Sequence, residues 1–132
     1  SSDLSMHLED DLLMANMDAR LIIQVLVNLI NNAIKYTPEN SNISLNARRV
    51  ENKILIEVQD DGNGVLHPDQ LFEMFYTENN RGGDTRRGMG LGLSLCKSII
   101  QSHGGTIWVE NVTPHGACFK FVLDAVEVKL YE

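Results

Sequence analysis

The chain has 132 residues, of which 43% are hydrophobic and 22% charged, values typical of a single globular domain with its own core, residues 1–132. Its formal net charge of −7 argues against a surface for nucleic acid or for an anionic membrane. The two cysteines, Cys96 and Cys118, have no metal-ligand spacing and predict no disulfide framework, which favours a reducing compartment.

The first part of the chain predicts short strands and then one long helix. Leu4–Leu8 and Leu12–Met17 have the pattern of strands. Asp18 is a good N-cap for a helix that runs from Ala19 to about Tyr36, where Thr37-Pro38 ends it. No apolar run approaches the roughly 20 residues that a membrane-spanning helix needs, and no secretory signal is visible.

The remainder predicts two strand pairs separated by helical and polar segments. The spacing gives an α+β fold, a two-layer α/β sandwich whose mixed, mostly antiparallel sheet is covered on one face by about three helices. The predicted elements are strands Ile43–Val50 and Ile54–Gln59, a short helix Pro68–Phe75, a polar loop Thr77–Gly88, a helix Leu91–His103 that stops at Gly104-Gly105, and strands Thr106–Val112 and Ala117–Leu123.

The long helix carries a polar stripe on an otherwise apolar surface. Asn28, Asn32 and Lys35 fall on one narrow face, and apolar side chains occupy the rest of the circumference. The stripe has two interpretations: a solvated face, or a site in which an amide oxygen ligates Mg²⁺ and a lysine neutralises phosphate. Tyr36, at its edge, fits either packing against a base or ribose, or the edge of the core.

A carboxylate and two glycines follow the strand that ends near Asp60. An ionised carboxylate only accepts hydrogen bonds, so Asp60 would suit an exocyclic amine such as that of adenine. Gly62 and Gly64 allow close backbone approach or positive φ. Taken alone, the pattern is also that of an ordinary turn.

A basic, glycine-rich segment leads into the later helix. Arginine matches phosphate geometry, and backbone amides at a helix start favour anions, so the segment fits either a solvated loop or a lid over phosphates. The residues concerned are Arg81, Arg86, Arg87, Gly88, Gly90, Leu91 and Gly92.

Together and in this order, these motifs resemble the ATP-binding catalytic domain of sensor histidine kinases. That family belongs to a wider group with type II topoisomerases, Hsp90-type chaperones and mismatch-repair ATPases. The resemblance extends from Met6 to Leu123, and the closing strands are most similar to potassium-responsive sensor kinases. The matching motifs are the N box at Asn28–Tyr36, the G1 box at Asp60–Gly64, the F box at Leu71–Phe75, the G2 box at Gly88–Leu93, and the closing segments His103–Thr106 and Gly116–Phe119.

The resemblance implies ATP and Mg²⁺ as ligands and a role for each matching position. Asn32 would ligate Mg²⁺, Lys35 would contact phosphate and Asp60 would accept the adenine amine. Phe72 and Phe75 would anchor the base of the lid. The remaining implied nucleotide contacts are Tyr36, Gly62, Gly64, Arg86, Arg87, Gly88, Gly90, Leu91, Gly92 and Thr106.

Asn28 departs from the wider group, which has a glutamate there to activate water. Because an amide cannot take up a proton at neutral pH, the resemblance implies transfer to a protein acceptor, with Asn28, Asn32 and Lys35 as the catalytic set. The alternatives are a stand-alone ATPase and a non-catalytic nucleotide-sensing module.

No histidine of this chain has the context of the family's phosphoacceptor. We therefore expect the acceptor and dimerisation helices to lie outside this chain. We also expect a response regulator as the next partner and a monomeric isolated domain that cannot complete autophosphorylation. The expected location is the cytoplasmic part of a membrane-bound bacterial sensor kinase, without nucleic-acid partners.

Overall fold

The structure is a computed structural model that describes the backbone of residues 3–8 and the backbone and side chains of residues 18–76 and 92–125. Several sequence predictions fall outside these residues. They are the strand Leu12–Met17, the polar loop Thr77–Gly88, and the candidate ligand contacts Arg81, Arg86, Arg87, Gly88, Gly90 and Leu91.

The described strands form one five-stranded sheet of order β1-β2-β3-β5-β4. All neighbouring pairs are antiparallel except β1 and β2, which run parallel. The sheet is therefore mixed and mostly antiparallel, as the sequence predicts. The strands are β1 Asp3–Leu8, β2 Asn42–Val50, β3 Lys53–Asp60, β4 Thr106–Asn111 and β5 Ala117–Asp124.

Two helices are present in the described part of the chain, α1 Ala19–Tyr36 and α2 Gly92–Ser102. Asp18 caps α1 as predicted, because its side chain accepts a hydrogen bond from the backbone N–H of Arg20. Gly104 ends α2 in the left-handed conformation (φ 75°), and the N–H of Gly105 returns to the carbonyl of Ile100. Neither helix is long and apolar enough to cross a membrane.

The core lies between the two helices and one face of the sheet. Buried positions alternate with partly exposed positions along these strands, which is the pattern of a sheet with one covered face. Phe119 and Phe121 on β5 are fully buried at the centre. The helices supply the opposing apolar side chains, namely Ile22, Val25, Leu29 and Ala33 from α1 and Cys96, Ile99 and Ile100 from α2.

A histidine joins the start of α1 to the end of α2. The backbone N–H of Asp18 donates to Nε2 of His103 at 3.0 Å, and Nδ1 of His103 lies 2.8 Å from the carbonyl of Ile99. Because a carbonyl oxygen only accepts, Nδ1 carries the proton and Nε2 is the acceptor. His103 therefore links the start of α1 to the end of α2 through hydrogen bonds.

The prediction of a short helix at Pro68–Phe75 is wrong. This segment forms consecutive turns in which Gln70, Glu73 and Tyr76 each donate a backbone N–H to the carbonyl three residues earlier. Phe75 also has a positive φ of 67°, which a regular helix does not allow. The described residues thus contain two helices rather than the expected three.

From the sequence we expect α1 to be buried nearly all round except for its polar stripe, and this expectation is also wrong. Ile23, Val27 and Ile34 are 58%, 48% and 50% exposed. They lie beyond the edge of the arc that faces the sheet, because α1 has more apolar positions than one packed face can cover. The helix therefore has a buried side, a polar stripe and an exposed apolar strip.

Gly105 is predicted to be required for stability. A Cβ at this position would lie 2.2 Å from the backbone oxygen of Val122, so β5 or the end of α2 would have to shift. We expect Gly105→Ala to lower the free energy of unfolding by about 1–3 kcal/mol, measured by urea denaturation. Gly92→Ala is the matched control, since no atom of the described residues lies within 4 Å of its Cβ position. Equal stability of the two variants would contradict the prediction.

Candidate functional site

A buried carboxylate lies at the end of β3. Asp60 is only 2% exposed, and its Oδ1 accepts hydrogen bonds from the backbone N–H of Gly62 at 3.0 Å and of Ala117 at 3.2 Å. A carboxylate can be buried only where such donors compensate for lost hydration. The side chain is therefore held in one orientation by the turn that follows it and by the neighbouring strand β5.

The turn after Asp60 packs directly on the end of α1. A Cβ on Gly62 would lie 2.8 Å from the methyl group of Thr37, so only glycine fits between them. Gly64 has a φ of 80°, the left-handed conformation that favours glycine. Glycine is therefore required at Gly62 because of the close approach to Thr37, and at Gly64 because of its backbone conformation. Their turn brings Asp60 to the last residues of α1.

An unpaired amide oxygen lies on this part of α1. Oδ1 of Asn32 is buried and has no hydrogen-bond partner within residues 18–76 and 92–125. A buried acceptor without a partner destabilises the fold by about 1–3 kcal/mol. Amide oxygens are among the ligands that Mg²⁺ prefers, so Asn32 fits a hard divalent cation such as Mg²⁺.

The last turn of α1 adds a positive charge close to Asn32 in sequence and on the same stripe. Lys35 and Tyr36 are both half-buried, and Nζ of Lys35 lies 5.3 Å from the ring centroid of Tyr36. This distance allows a cation–π interaction that restrains the lysine. An ammonium group held there would offset the negative charge of a phosphate ligand.

The start of α2 is a second place that favours an anion. Gly92 is the exposed first residue of α2, and no acidic side chain occupies the first turn. The first N–H groups of a helix have no partner within the helix and favour an anion. Gly92 is the one described residue among the candidate ligand contacts of the second glycine motif, which are Gly88, Gly90, Leu91 and Gly92.

Asn28 faces the second helix. Its side chain hydrogen-bonds the thiol of Cys96, whose Sγ also lies 3.9 Å from the carbonyl of Val25. Burial raises the pKa of Cys96 to about 11, and the bond from Asn28 offsets only part of that rise. The amide of Asn28 therefore sits at the contact between α1 and α2.

Two residues assigned roles by the resemblance, Thr106 and Phe75, do not lie with Asp60, Asn32 and Lys35. Asp60 and Asn111 both pair with Ala117, whereas Thr106 starts β4 and pairs with Val122. At about 3.4 Å per residue, Thr106 lies about 17 Å from that end of the sheet. Phe75 is 65% exposed, whereas Phe72 is buried and makes an edge-to-face contact with Phe119.

Other residues around the turn were missed by the sequence reasoning. Asn111 hydrogen-bonds both backbone groups of Val65, and His115 hydrogen-bonds the carbonyl of Asp61. Their partners are 46 and 54 residues away in sequence, so no local pattern could have indicated them. Asn111 at the end of a predicted strand was the one available signal, and it is a weak one.

A cavity of about 340 Å³ adjoins the same turn on the side away from α1. Ser44, Gln59 and His115 are among its lining residues, and the lining includes no residue of α1. Ser44 and Gln59 lie on the uncovered face of the sheet, because their neighbours along each strand are buried in the core. Asp60 also lines this cavity, which therefore adjoins the buried carboxylate on the side opposite Asn32 and Lys35 of α1.

Residues 17–127 match the family described as histidine kinase-, DNA gyrase B-, and HSP90-like ATPase. The chain is 38% identical over 120 residues to sensor protein KdpD of Clostridium acetobutylicum, covering 89% of this chain and 13% of KdpD. It is 46% identical over 110 residues to the adaptive-response sensory kinase SasA of Crocosphaera subtropica, covering 80% of this chain and 28% of SasA. The chain thus spans less than a third of these curated relatives.

Solved structures agree with these sequence matches. The catalytic domain of histidine kinase ThkA has a TM-score of 0.80 at 32% identity, covering 93% of this chain and 80% of that chain. ThkA in complex with response regulator protein TrrA has a TM-score of 0.77 at 31% identity, covering 95% and 34%. The chain therefore belongs to the histidine kinase-, DNA gyrase B- and HSP90-like ATPase family, among its histidine kinase catalytic domains, which confirms the resemblance.

The two buried thiols predict a loss of stability at high pH. The pKa of Cys96 is raised to about 11 and that of Cys118 to about 12, in both cases chiefly by burial. Because the unfolded thiols titrate near pH 8.5, their contribution to stability is complete below that pH and is lost as pH rises toward 11–12.

We expect the free energy of unfolding, measured in urea between pH 8 and 10.5, to fall more steeply for the wild type than for a Cys96→Ala, Cys118→Ala variant. The variant corrects for lysine and tyrosine titration over the same range. Parallel pH profiles would contradict the assignment.

Proposed function

We propose that this chain binds Mg²⁺-ATP and donates the γ-phosphoryl group to a histidine on a separate phosphoacceptor and dimerisation domain. The bond from the γ-phosphorus to the β,γ-bridging oxygen breaks, a bond to an imidazole nitrogen forms, and ADP leaves. The observation that carries the proposal is the buried Oδ1 of Asn32, which has no partner in the described part of the chain and lies on the helix that packs against the Asp60 turn.

Each side chain of the site has a distinct part in binding. Asp60 accepts the exocyclic amine of adenine, and Gly62 and Gly64 leave room for the base. Lys35 offsets phosphate charge, Tyr36 packs against the nucleoside, and the start of α2 at Gly92 donates to phosphate oxygens.

Asn32 would hold Mg²⁺, which when bound would supply positive charge to stabilise the transferred phosphoryl group. Because positioning and electrostatics supply most of the catalysis in phosphoryl transfer, a site without a general base is sufficient.

Asn28 favours transfer over hydrolysis. Its amide cannot accept a proton from water, and its side chain is engaged with the thiol of Cys96. A stand-alone ATPase, as elsewhere in the wider family, would need a base near the phosphates. The proposed role is therefore a kinase domain that retains ATP until an acceptor histidine approaches, and slow hydrolysis by the isolated domain is part of the proposal.

The proposed partners are the phosphoacceptor helices of the same kinase and then a response regulator. The complex of the related kinase ThkA with the response regulator TrrA supports the second partner. We further propose that the domain is monomeric, has no nucleic-acid partner, and works in the cytoplasmic part of a membrane-bound sensor kinase. A net charge of −7 supports the absence of a nucleic-acid partner.

The first prediction from this function concerns Mg²⁺. Calorimetric titration of the wild type with a non-hydrolysable ATP analogue should give binding that is tighter with Mg²⁺ than with EDTA. Asn32→Ala should reduce the Mg²⁺-dependent gain by at least about tenfold, the loss seen even for outer-shell partners of metal sites.

Asn31→Ala is the matched control for Asn32→Ala, because Asn31 is an exposed amide on the same helix. Absence of binding by the wild type would overturn the proposed function. A full Mg²⁺ effect in Asn32→Ala would overturn the metal assignment alone.

The second prediction concerns the base. Asp60→Asn keeps an oxygen that can accept from Gly62 and Ala117, so the fold should persist. It removes the charge from the hydrogen bond to adenine, which should weaken ATP binding by about 1.5–3 kcal/mol in the same titration. Asp61→Asn is the control, since the Asp61 carboxylate accepts from Asn42 rather than facing the site. Unchanged affinity of Asp60→Asn would remove Asp60 from the site.

A further inference from the structure

The side chain of Asn111 pairs with the backbone of Val65 as a neighbouring strand would. Asn111 is the last residue of β4. Its Oδ1 accepts from the N–H of Val65 at 2.7 Å, and its Nδ2 donates to the carbonyl of Val65 at 2.9 Å. One side chain thus satisfies both backbone polar groups of a residue that lies just after the Asp60–Gly64 turn.

This pairing matters because Val65 is buried but belongs to no strand. Its side chain is 6% exposed and packs in the core. Buried backbone groups need partners, and Val65 has no neighbouring ladder to supply them. The amide of Asn111 therefore fixes the point at which the chain leaves the Asp60–Gly64 turn and enters the core.

The segment that connects β4 to β5, together with the first residue of β5, makes two further hydrogen bonds to the same turn. Nδ1 of His115 lies 2.7 Å from the carbonyl of Asp61, and His115 must donate because a carbonyl oxygen only accepts. The N–H of Ala117 donates to Oδ1 of Asp60. Attachments from this segment and its flanking strands therefore reach the beginning of the turn, its second residue and its exit.

The fit between the two segments is close. A Cβ on Gly64 would lie 2.7 Å from Oδ1 of Asn111, and a Cβ on Gly116 would lie 2.2 Å from the backbone oxygen of Asp60. Both glycines also have positive φ, 80° for Gly64 and 120° for Gly116. Only glycine therefore fits at these two positions, and the hydrogen bonds hold the two segments together there.

We infer that Asn111 is a positioning residue for recognition of the nucleotide base, acting through the backbone of the Asp60–Gly64 turn, with His115 supporting it. The inference rests on the proposed function of the site. Asn111 pairs with Val65 and does not itself contact the base. Its effect is to hold the N–H of Gly62, which in turn orients the carboxylate of Asp60 toward the adenine amine.

Base discrimination provides a test that a general loss of stability does not mimic. Adenine presents an amine to Asp60, whereas guanine presents a carbonyl oxygen at the corresponding position, so a fixed carboxylate favours ATP over GTP. Partial unfolding would weaken both nucleotides by the same factor. A carboxylate that is released from its fixed orientation would weaken ATP more than GTP.

The experiment is calorimetric titration of ATP and GTP analogues into the wild type, Asn111→Ala and the control Asn46→Ala, which removes a half-buried strand amide elsewhere on the sheet. Urea denaturation establishes that each variant is folded. We expect Asn111→Ala to lose roughly five- to tenfold in ATP affinity, as for loss of one hydrogen bond, with a smaller loss for GTP. An unchanged ratio of ATP to GTP affinity would overturn the inference.

Amide hydrogen exchange of Val65 tests the same inference without nucleotide. In the wild type the Val65 N–H should exchange more slowly than the N–H of exposed Asn63, and Asn111→Ala should remove that protection. If Val65 exchanges as fast as Asn63 in the wild type, the inference fails even where the variant does not fold. A wild type that binds no nucleotide but protects Val65 would overturn the proposed function and the base-recognition role, leaving a structural contact.

Discussion

The buried carboxylate of Asp60 determines how the rest of the site is arranged. A charge that is 2% exposed needs hydrogen-bond donors, and here they come from the backbone of the following turn and of β5. Around these donors a Cβ would be crowded at Gly62 by Thr37, at Gly64 by Asn111 and at Gly116 by the backbone of Asp60, so glycine occurs at all three positions. The turn also packs against Thr37 at the end of α1, the helix that carries Asn32 and Lys35.

Helix α1 combines two demands that oppose each other. Its buried side stabilises the fold through Ile22, Val25 and Leu29, whereas Asn32 on the stripe leaves a buried acceptor without a partner among the described residues. That orphaned oxygen reduces stability by about 1–3 kcal/mol. A ligand that pairs with this oxygen would remove that cost, which is the reason for proposing Asn32 as the metal ligand.

Local signals predicted most of the fold; one error comes from an ambiguous local spacing and the others from contacts between residues distant in sequence. Helix α1 was predicted with its observed bounds because Asp18 and Thr37-Pro38 mark its ends within the sequence itself. The turns at Pro68–Phe75 were mistaken for a helix, since three-residue and four-residue spacing differ little over eight positions. Thr106 was assigned to the site from motif resemblance, but strand register places it at the far end of the sheet. Asn111 could not be recognised, because its partner Val65 is joined to it only by folding.

The bond between Asp18 and His103 fixes the helix pair at the end remote from the nucleotide site. Helix α2 has 11 residues, so its first residue stands about 16 Å from that attachment. A small change in the angle between the helices would leave the attached end of α2 in place. Gly92, at the other end of α2, would be displaced most. The start of α2, which we propose to contact phosphate, could therefore shift while Ile99 and Ile100, close to the attached end, keep their core contacts.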